Sequence, residues 1–300
     1  MGSAAGGGFP QWNCGCPNCL LARSGSARAV PRTQESVAIS ADGVAWFLLN
    51  ASPEIRQQFE SFDKLHPRSL RDTPIHGIVL TNGDLDHCLG LLSLRESQPL
   101  ALYATERVRR GFVEGNVLYR TLERFEGQVR WHPLRSGVEQ PLLLRTGEPS
   151  GLSLRALTVP GKPALHLSQT NPDPEDNIGL VIRSARSDKS LAYLPAVGAS
   201  SAQVTAAVSG ADCIFFDGTF WSSDELIALG ASERRAEDMA HWPIAGDRGS
   251  LRWLREFPSK RRIFIHINNS NPILREDSKE REALRAENVE VAFDGMELSL

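Results

Sequence analysis

The sequence lacks any hydrophobic run approaching the roughly 18 residues that a membrane-spanning helix requires. It also lacks the charged start and apolar stretch that mark a secretory signal. These absences predict a chain with no membrane span, located in the cytoplasm. No internal repeat or low-complexity segment interrupts the 300 residues, and 41% apolar content is enough to bury a substantial core. We therefore expect a single domain over residues 1–300.

The sequence also lacks an excess of positive charge and an even number of cysteines. Lys and Arg number 33 against 36 Asp and Glu, for a net charge of −3, and the basic residues are scattered along the chain. Because this distribution offers no basic stripe to a nucleic-acid backbone, nucleic acid is not an expected partner. Cysteines number five, and an odd count argues against a disulfide framework.

Residues 79–92 read VLTNGDLDHCLGLL and have the pattern of a strand, a polar loop and a helix. The loop contains Asp84, Asp86 and His87, whose oxygen and nitrogen donors suit a divalent transition metal. Open α/β sheets place their ligand sites at the carboxyl ends of strands, which is where this loop lies. The simpler alternative is that Asp86 only caps the helix, as Asp often does.

Other short apolar runs predict further strands, and several end at a residue with functional chemistry. Asp217 closes one run, His266 closes another, and Lys162 follows a third. Strand ends on one edge of a sandwich can converge, so we expect these residues to meet those of the loop. The predicted strands are 36–40, 45–50, 77–80, 100–103, 129–131, 142–144, 154–159, 178–182, 191–194, 212–216 and 263–265, with two more near the end. Helices are predicted from Ser52 as N-cap, from about 105, and over 202–208, 224–229 and 278–285, and a loop over 169–177.

Three cysteines cluster near the start of the chain. Cys14, Cys16 and Cys19 form the pattern CxCxxC within a glycine-rich and cysteine-containing loop at residues 2–24. Three thiolates so close together can converge on one soft ion, so structural zinc is the natural occupant, with a fourth ligand from elsewhere. The alternative is three loop thiols that never meet. Cys88 and Cys213 lie in apolar runs and are expected to be small core residues.

The order of these residues resembles that of the metallo-β-lactamase superfamily, whose members bind metals through an HxHxDH loop, a His in a PGH turn, a bridging Asp and a final His. The motif NGDLDH matches that loop at Asp86 and His87. The motif FFDGT supplies Asp217 as the bridging Asp, and HINNSNP supplies His266 as the final His. The resemblance implies an α+β fold, an αββα sandwich of two mixed β-sheets flanked by helices.

The departures from the superfamily pattern concern the first of its two metal positions. Asn82, Asp84 and Lys162 stand where three histidines would be. A protonated lysine repels a cation, so that position should be empty or weak. The second position keeps the four matched residues, two imidazoles and two carboxylates, which resemble the ligands of non-haem iron. The resemblance therefore implies one Fe(II) ion in the active site.

Within the superfamily, the chain is similar over nearly its whole length to the PqqB family of pyrroloquinoline quinone (PQQ) biosynthesis proteins. The shared segments are GSAAGGGFPQWNC, PRTQES, NASPEIRQQ, LTNGDLDH, LLSLRE, VPGK, FFDGT and HINNSNP. This resemblance implies Fe(II)- and O₂-dependent hydroxylation of the tyrosine ring in a cross-linked Glu-Tyr precursor, with the other PQQ biosynthesis proteins as candidate partners. Two alternatives stay open, a carrier of PQQ or its precursor to the periplasm and a metal-dependent hydrolase.

The resemblance also implies roles beyond the iron ligands. Asp84 and Lys162 would be catalytic, with Lys162 holding a substrate carboxylate. His241 lies where related phosphodiesterases place a proton-donating histidine; the alternative is a partly buried loop histidine beside Trp242. The zinc loop resembles that of the same phosphodiesterases, in which a His replaces Asn269, so Asn269 is the candidate fourth ligand. In the PqqB family a first strand precedes the glycine-rich loop, and a start site upstream of the present one would be expected to supply it.

Overall fold

Two β-sheets pack face to face in a computed structural model that describes residues 1–96, 98–167 and 171–300. The first sheet has five strands in sequence order, β1 (Val37–Ile39), β2 (Trp46–Leu49), β3 (Ile75–Val79), β4 (Leu100–Thr105) and β5 (Val129–Leu134). The second sheet runs in the spatial order β12 to β6, formed by β6 (Glu139–Leu143), β7 (Pro149–Thr158), β8 (Ile178–Ser184), β9 (Ser190–Leu194), β10 (Cys213–Asp217), β11 (Arg261–Ile265) and β12 (Val289–Val291).

Helices connect the strands and cover the outer faces of both sheets. They are α1 (Pro17–Arg23), α2 (Ile55–Glu60), α3 (Leu85–Cys88), α4 (Glu106–Val113), α5 (Ala202–Gly210), α6 (Glu225–Ala228), α7 (Ser250–Leu254) and α8 (Lys279–Ala286). Short 3₁₀ helices cover Asp63–Leu65, Leu89–Leu94, Val117–Thr121, Leu165–Leu167, Pro174–Asp176, Glu237–Met239 and Pro272–Leu274. No helix in these described ranges has the length and apolar character needed to cross a bilayer.

Both sheets are mixed, as expected. Strands β1 and β2 form an antiparallel hairpin, whereas β2 to β5 are parallel. In the second sheet β6 to β9 are antiparallel and β9 to β12 are parallel. The eleven internal strands expected from apolar runs each overlap a strand of the structure, which confirms the αββα sandwich.

Apolar side chains on alternate faces of the strands form three apolar layers. Phe47 and Leu49 of β2 belong to the core between the sheets, where they join Tyr193 and Phe215 of the second sheet. The intervening Leu48 belongs to the layer under α2 and α4. A third layer packs the outer face of the second sheet against α5, α7 and α8. Because successive strand residues point to opposite faces, one strand contributes apolar side chains to the layers on both sides of its sheet.

Local signals explain the longer helices. The hydroxyl of Thr105 accepts a hydrogen bond from the Val108 N–H at the start of α4, and that of Ser278 accepts one from the Arg281 N–H at the start of α8. Such caps satisfy backbone donors that have no partner inside the helix.

Four details differ from the sequence predictions. Helix α2 begins at Ile55, and the Ser52 hydroxyl lies 3.5 Å from the Glu54 carboxylate instead of capping the helix. The helix after the loop that follows β3 is α3, followed by a 3₁₀ helix. One closing strand, β12, forms in the described C-terminal region; after it, Asp294 accepts hydrogen bonds from Ser3 and Thr33 and holds the chain in a turn. The predicted loop at 169–177 begins outside the described residues, and its later part contains a 3₁₀ turn.

Gly90 lets the segment after α3 pass directly over the end of β2. Its N–H donates a 2.9 Å hydrogen bond to the Ala51 carbonyl, and a Cβ at this position would collide with the backbone oxygens of Ser52 and Ala51. Because backbone atoms cannot turn aside as a side chain can, this position requires glycine.

We therefore expect Gly90→Ala to lower the free energy of unfolding by about 1–3 kcal/mol, the usual range for overpacking. Urea unfolding followed by circular dichroism measures this loss. The matched control is Gly210→Ala in α5, where an added Cβ meets nothing within 4 Å. Equal stabilities of the two variants would contradict the prediction.

Candidate metal centre

The loop after β3 presents Asp86 and His87 from a short helix. The Asn82 side-chain oxygen accepts a 3.0 Å hydrogen bond from the Asp84 N–H, and this turn leads into α3. The helix start has no side-chain cap, and the Asp86 carboxylate instead lies 3.1 Å from His266 Nε2. The proposal that Asp86 serves merely as a cap is therefore wrong.

His266 approaches from the end of β11 in the other sheet. Its backbone has φ of 58°, a left-handed conformation that is uncommon for a residue other than glycine and often marks functional sites. The ligand atoms of Asp86, His87 and His266 all lie within 4.8 Å of one another. One carboxylate and two imidazoles from two sheets thus converge, as the strand-end pattern predicts.

The hydrogen bonds of His87 direct a free lone pair into this cluster. The Thr81 hydroxyl donates to the Asn50 side-chain oxygen at 3.0 Å and lies 3.2 Å from His87 Nδ1. Since the hydroxyl hydrogen is already used, Nδ1–H must donate to Thr81, which leaves Nε2 without a hydrogen. His87 Nε2 is buried and has no hydrogen-bond partner among the residues that the structure describes. A buried unsatisfied nitrogen aimed at a carboxylate and a second imidazole fits a metal ion.

Burial and charge set the protonation of the three candidate ligands. Burial lowers the pKa of His87 to about 4, so this imidazole is neutral at physiological pH. Burial opposes the charged form of Asp86, but the neighbouring His87 and His266 imidazoles and the hydrogen bond from His266 outweigh it and lower the Asp86 pKa. Burial also disfavours the charged form of His266, yet its hydrogen bond to Asp86 raises the His266 pKa to about 9. Metal binding at His266 Nε2 would therefore displace a proton.

A buried carboxyl group, Glu35, lies beside His87 Nε2, and sequence reasoning did not single it out. Glu35 Oε2 lies 3.8 Å from His87 Nε2, and Glu35 accepts hydrogen bonds from Asn50 and Tyr193. Burial raises the pKa of Glu35 to about 8. The sequence signal for this residue was the acidic position in PRTQES, just before β1. The structure adds that its carboxyl is fully buried, which is unusual for an acidic residue.

Asp217 belongs to a neighbouring cluster with His241 and His266. His241 Nδ1 lies 2.7 Å from Asp217 Oδ2, and the imidazoles of His241 and His266 stack with centroids 5.4 Å apart. The Thr219 hydroxyl lies 2.6 Å from Asp217 Oδ1 and 2.8 Å from His266 Nδ1. Thr219, from the FFDGT motif, thereby orients both the carboxylate and the imidazole.

The four expected ligands fall into two overlapping groups. In the described part of the chain, the clusters with ligand atoms within 4.8 Å contain either Asp86 and His87 or Asp217 and His241, and His266 belongs to both. The reason is that both Asp217 oxygens are held elsewhere, by the Val197 and Thr219 N–H groups, the Thr219 hydroxyl and His241. Asp217 as an iron ligand stays a prediction.

The residues at the histidine positions of the superfamily pattern interact with other side chains. The Asn82 amide donates to Asn177 at 3.2 Å, which accounts for its side chain without a metal. Lys162 is half-buried; burial lowers its pKa, and the nearby Asp84 charge opposes this. Burial and the Asp86 charge raise the pKa of Asp84. Lys162 and Asp84 thus influence each other electrostatically beside the cluster.

The three cysteines of the N-terminal loop do meet. The sulfurs of Cys14, Cys16 and Cys19 lie within 4.8 Å of one another. Asn269 Nδ2 lies 3.1 Å, 3.7 Å and 3.3 Å from these sulfurs in turn, so its amide covers the fourth side of the cluster. Three thiols with one open side fit a tetrahedral zinc ion, and a half-turn of the amide would present its oxygen. Cys88 and Cys213 are buried core residues, as predicted.

The sequence is similar to those of known proteins. The beta-lactamase superfamily domain matches residues 45–267. Coenzyme PQQ synthesis protein B of Azoarcus sp. (strain BH72) is 46% identical over 305 residues, covering 100% of this chain and 98% of the relative. The protein of the same name from Stutzerimonas stutzeri is 44% identical over 302 residues, with coverage of 100% and 98%.

The chain belongs to the coenzyme PQQ synthesis protein B family. A solved structure of this family, Zn(2+)-bound PqqB from Methylobacterium extorquens, is 40% identical with a TM-score of 0.91, covering 100% of this chain and 98% of that one. A diphosphatase of the PhnP family has a TM-score of 0.67 at 21% identity, with coverage of 100% and 95%, a similarity of fold alone. Family membership and the metallo-β-lactamase fold agree with the geometry described above.

Thr219 should tune the affinity of the centre for metal. Thr219→Val removes the acceptor for His266 Nδ1–H, so we expect the affinity of this centre for Fe(II) to fall about 10–100-fold, as for other outer-layer partners of metal-binding histidines. Anaerobic titration of Fe(II) against a competing chelator measures this affinity. Thr158→Val is the matched control, because the Thr158 hydroxyl bonds to Gln203 on an exposed part of the surface. An unchanged affinity in Thr219→Val would show that its hydroxyl does not orient a ligand.

The cysteine cluster yields a separate prediction. If it holds structural zinc, Cys16→Ser should lower zinc content and melting temperature together, because zinc binding contributes directly to folding. Metal analysis of the purified protein and thermal unfolding provide the two measurements. Cys213→Ser is the control, since it replaces a buried cysteine outside the cluster and should retain zinc even where stability drops. Equal zinc content in Cys16→Ser and the unaltered protein would refute the assignment.

Proposed function

We propose that this protein acts in PQQ biosynthesis as a metal-dependent enzyme that hydroxylates the tyrosine ring of a cross-linked Glu-Tyr precursor, using Fe(II) and O₂. The observation that carries the proposal is the buried cluster of Asp86, His87 and His266, with the unsatisfied His87 Nε2. Two imidazoles and one carboxylate are the donor set of many non-haem Fe(II) oxygenases. The names of the relatives supply the pathway.

The residues of the chain would divide the work as follows. Bound at the cluster, Fe(II) supplies the redox chemistry with O₂ that ring hydroxylation requires. His87 and His266 keep Nε2 directed inward by donating their Nδ1 hydrogens to Thr81 and Thr219. Their fixed orientation leaves the remaining side of the centre to substrate and O₂.

Two further residues would handle the substrate. Lys162, beside Asp84, offers a positive charge to a carboxylate of the precursor. His241 is about one-seventh exposed, with 15% of its side chain accessible, and its Nδ1 is held by Asp217. That hydrogen bond fixes the imidazole so that it can donate or accept a proton at its other nitrogen. We also propose a cytoplasmic location and structural zinc in the cysteine cluster.

The hydrolase alternative would need the first metal position of the superfamily. Asn82 is bonded to Asn177 and to the Asp84 N–H, and Lys162 brings a positive charge to the same region. These contacts disfavour a second cation there. A carrier would bind the precursor or PQQ and return it unchanged.

The test uses iron-loaded protein prepared without oxygen. A cross-linked Glu-Tyr peptide, a two-electron chemical reductant and isotopically labelled O₂ are added, and the peptide is analysed by mass spectrometry. We expect one labelled oxygen atom on the tyrosine ring, the other leaving as water. Return of unaltered peptide would favour the carrier, and cleavage without O₂ would favour the hydrolase.

A triple variant separates the oxygenase from the hydrolase independently. Asn82→His, Asp84→His and Lys162→His together rebuild the first metal position, so an impaired hydrolase should gain a second metal and hydrolytic activity. A mononuclear hydroxylase should instead lose O₂-dependent product, because a second cation crowds the open side and the substrate-holding charge is gone. Restored hydrolysis of a phosphodiester would defeat the hydroxylase assignment. His266→Ala, inactive under either function, is the negative control.

A further inference from the structure

A strongly basic cavity lies at the end of the first sheet opposite the metal centre. Arg71 precedes β3 and Gln98 precedes β4, and these parallel strands carry the metal-binding loop at their other, carboxyl end. The Gln98 amide donates a 2.5 Å hydrogen bond to the Arg71 carbonyl and so ties the two connections together. A cavity of about 810 Å³ opens between these connections and the segment around the 3₁₀ helix Val117–Thr121. We call it the arginine pocket, lined by Arg71, Arg95, Arg120 and Arg124.

The arginine pocket carries more positive charge than its surroundings compensate. Four arginines line it against one acid, Glu96, which lies 3.7 Å from Arg95. Arg124 lies over the ring of Phe125, 5.2 Å from its centroid. In the described part of the chain, Arg71 and Arg120 form no ion pair within 4.0 Å. Arginines held close together without acids favour an anionic ligand.

Exposed apolar side chains accompany these arginines. Phe125 lines the pocket and is 42% exposed, Leu118 in the adjoining 3₁₀ helix is 59% exposed, and Leu70 beside Arg71 is 94% exposed. A small inorganic anion would fill little of a cavity this size and would leave these side chains in water. A protein segment with acidic and apolar residues would pair with the arginines and cover the apolar surface together.

We propose that the arginine pocket docks an acidic segment of a protein partner that also carries aromatic or aliphatic side chains. The interaction is separate from the metal centre and does not depend on the proposed hydroxylation. The net charge of −3 argues against a general affinity for polyanions, so the attraction is local to this pocket. One end of the first sheet would thus bind a partner, and the other end carries residues of the candidate metal centre.

The test measures binding of a labelled peptide of alternating Glu and Phe by fluorescence anisotropy, using the full-length, metal-loaded protein. We expect saturable binding that weakens as salt rises. The double variant Arg120→Glu/Arg124→Glu should bind about tenfold more weakly or worse, because two exposed ion pairs are lost and two repulsive charges replace them. Melting temperature and metal content confirm that the variant is folded.

The matched control is Arg56→Glu/Arg135→Glu, which makes the same change in net charge at exposed arginines outside the pocket. Retained binding in this control supports a localised site, whereas equal weakening in both double variants would overturn it. A peptide of alternating Glu and Ser should bind less well, and equal binding would overturn the apolar part of the proposal. Inorganic phosphate or a single-stranded oligonucleotide that binds more tightly than the Glu–Phe peptide would overturn the choice of a protein partner.

Discussion

The His266 imidazole is shared by two carboxylate clusters, and the candidate centre depends on this sharing. Its Nε2 faces Asp86 from the first sheet, whereas its Nδ1 faces Thr219, which also holds Asp217 of the second sheet. The left-handed backbone at His266 turns the chain sharply at the end of β11 and brings the ring into this position. One strained residue therefore joins the ends of two sheets into one site.

The segment that follows His266 also connects the centre to the cysteine cluster. Ile267 exchanges backbone hydrogen bonds with the glycine-rich loop through Ser3 and Ala5. Two residues later, Asn269 covers the three sulfurs, and its carbonyl accepts a 3.1 Å hydrogen bond from Asn18. A zinc ion in the cysteine loop would thus stabilise the same segment that carries His266. This connection would give a structural zinc site a direct bearing on the geometry of the centre.

The local motifs of the sequence were sufficient to predict most elements of the fold. Strands and capped helices follow from the periodicity of apolar residues within short windows, so β3, α4 and α8 could be identified without knowledge of their neighbours. The C-terminal end of the chain was harder to predict, because the turn at Asp294 is held by Ser3 and Thr33, which lie almost the whole chain away in sequence. The family resemblance identified Asp86, His87 and His266 as candidate ligands, and these do converge.

What the sequence by itself determined is therefore the set of elements, the family and the residue types available for chemistry. Tertiary structure alone decided which of these groups meet: Glu35 lies beside His87 Nε2, Asp217 is held by His241, and four arginines separated by up to 53 positions line one pocket. Charge and hydrogen-bond partners depend on distances in space, and a residue's neighbours along the chain do not specify them. Sheet pairing and the packing of the two sheets supply those distances.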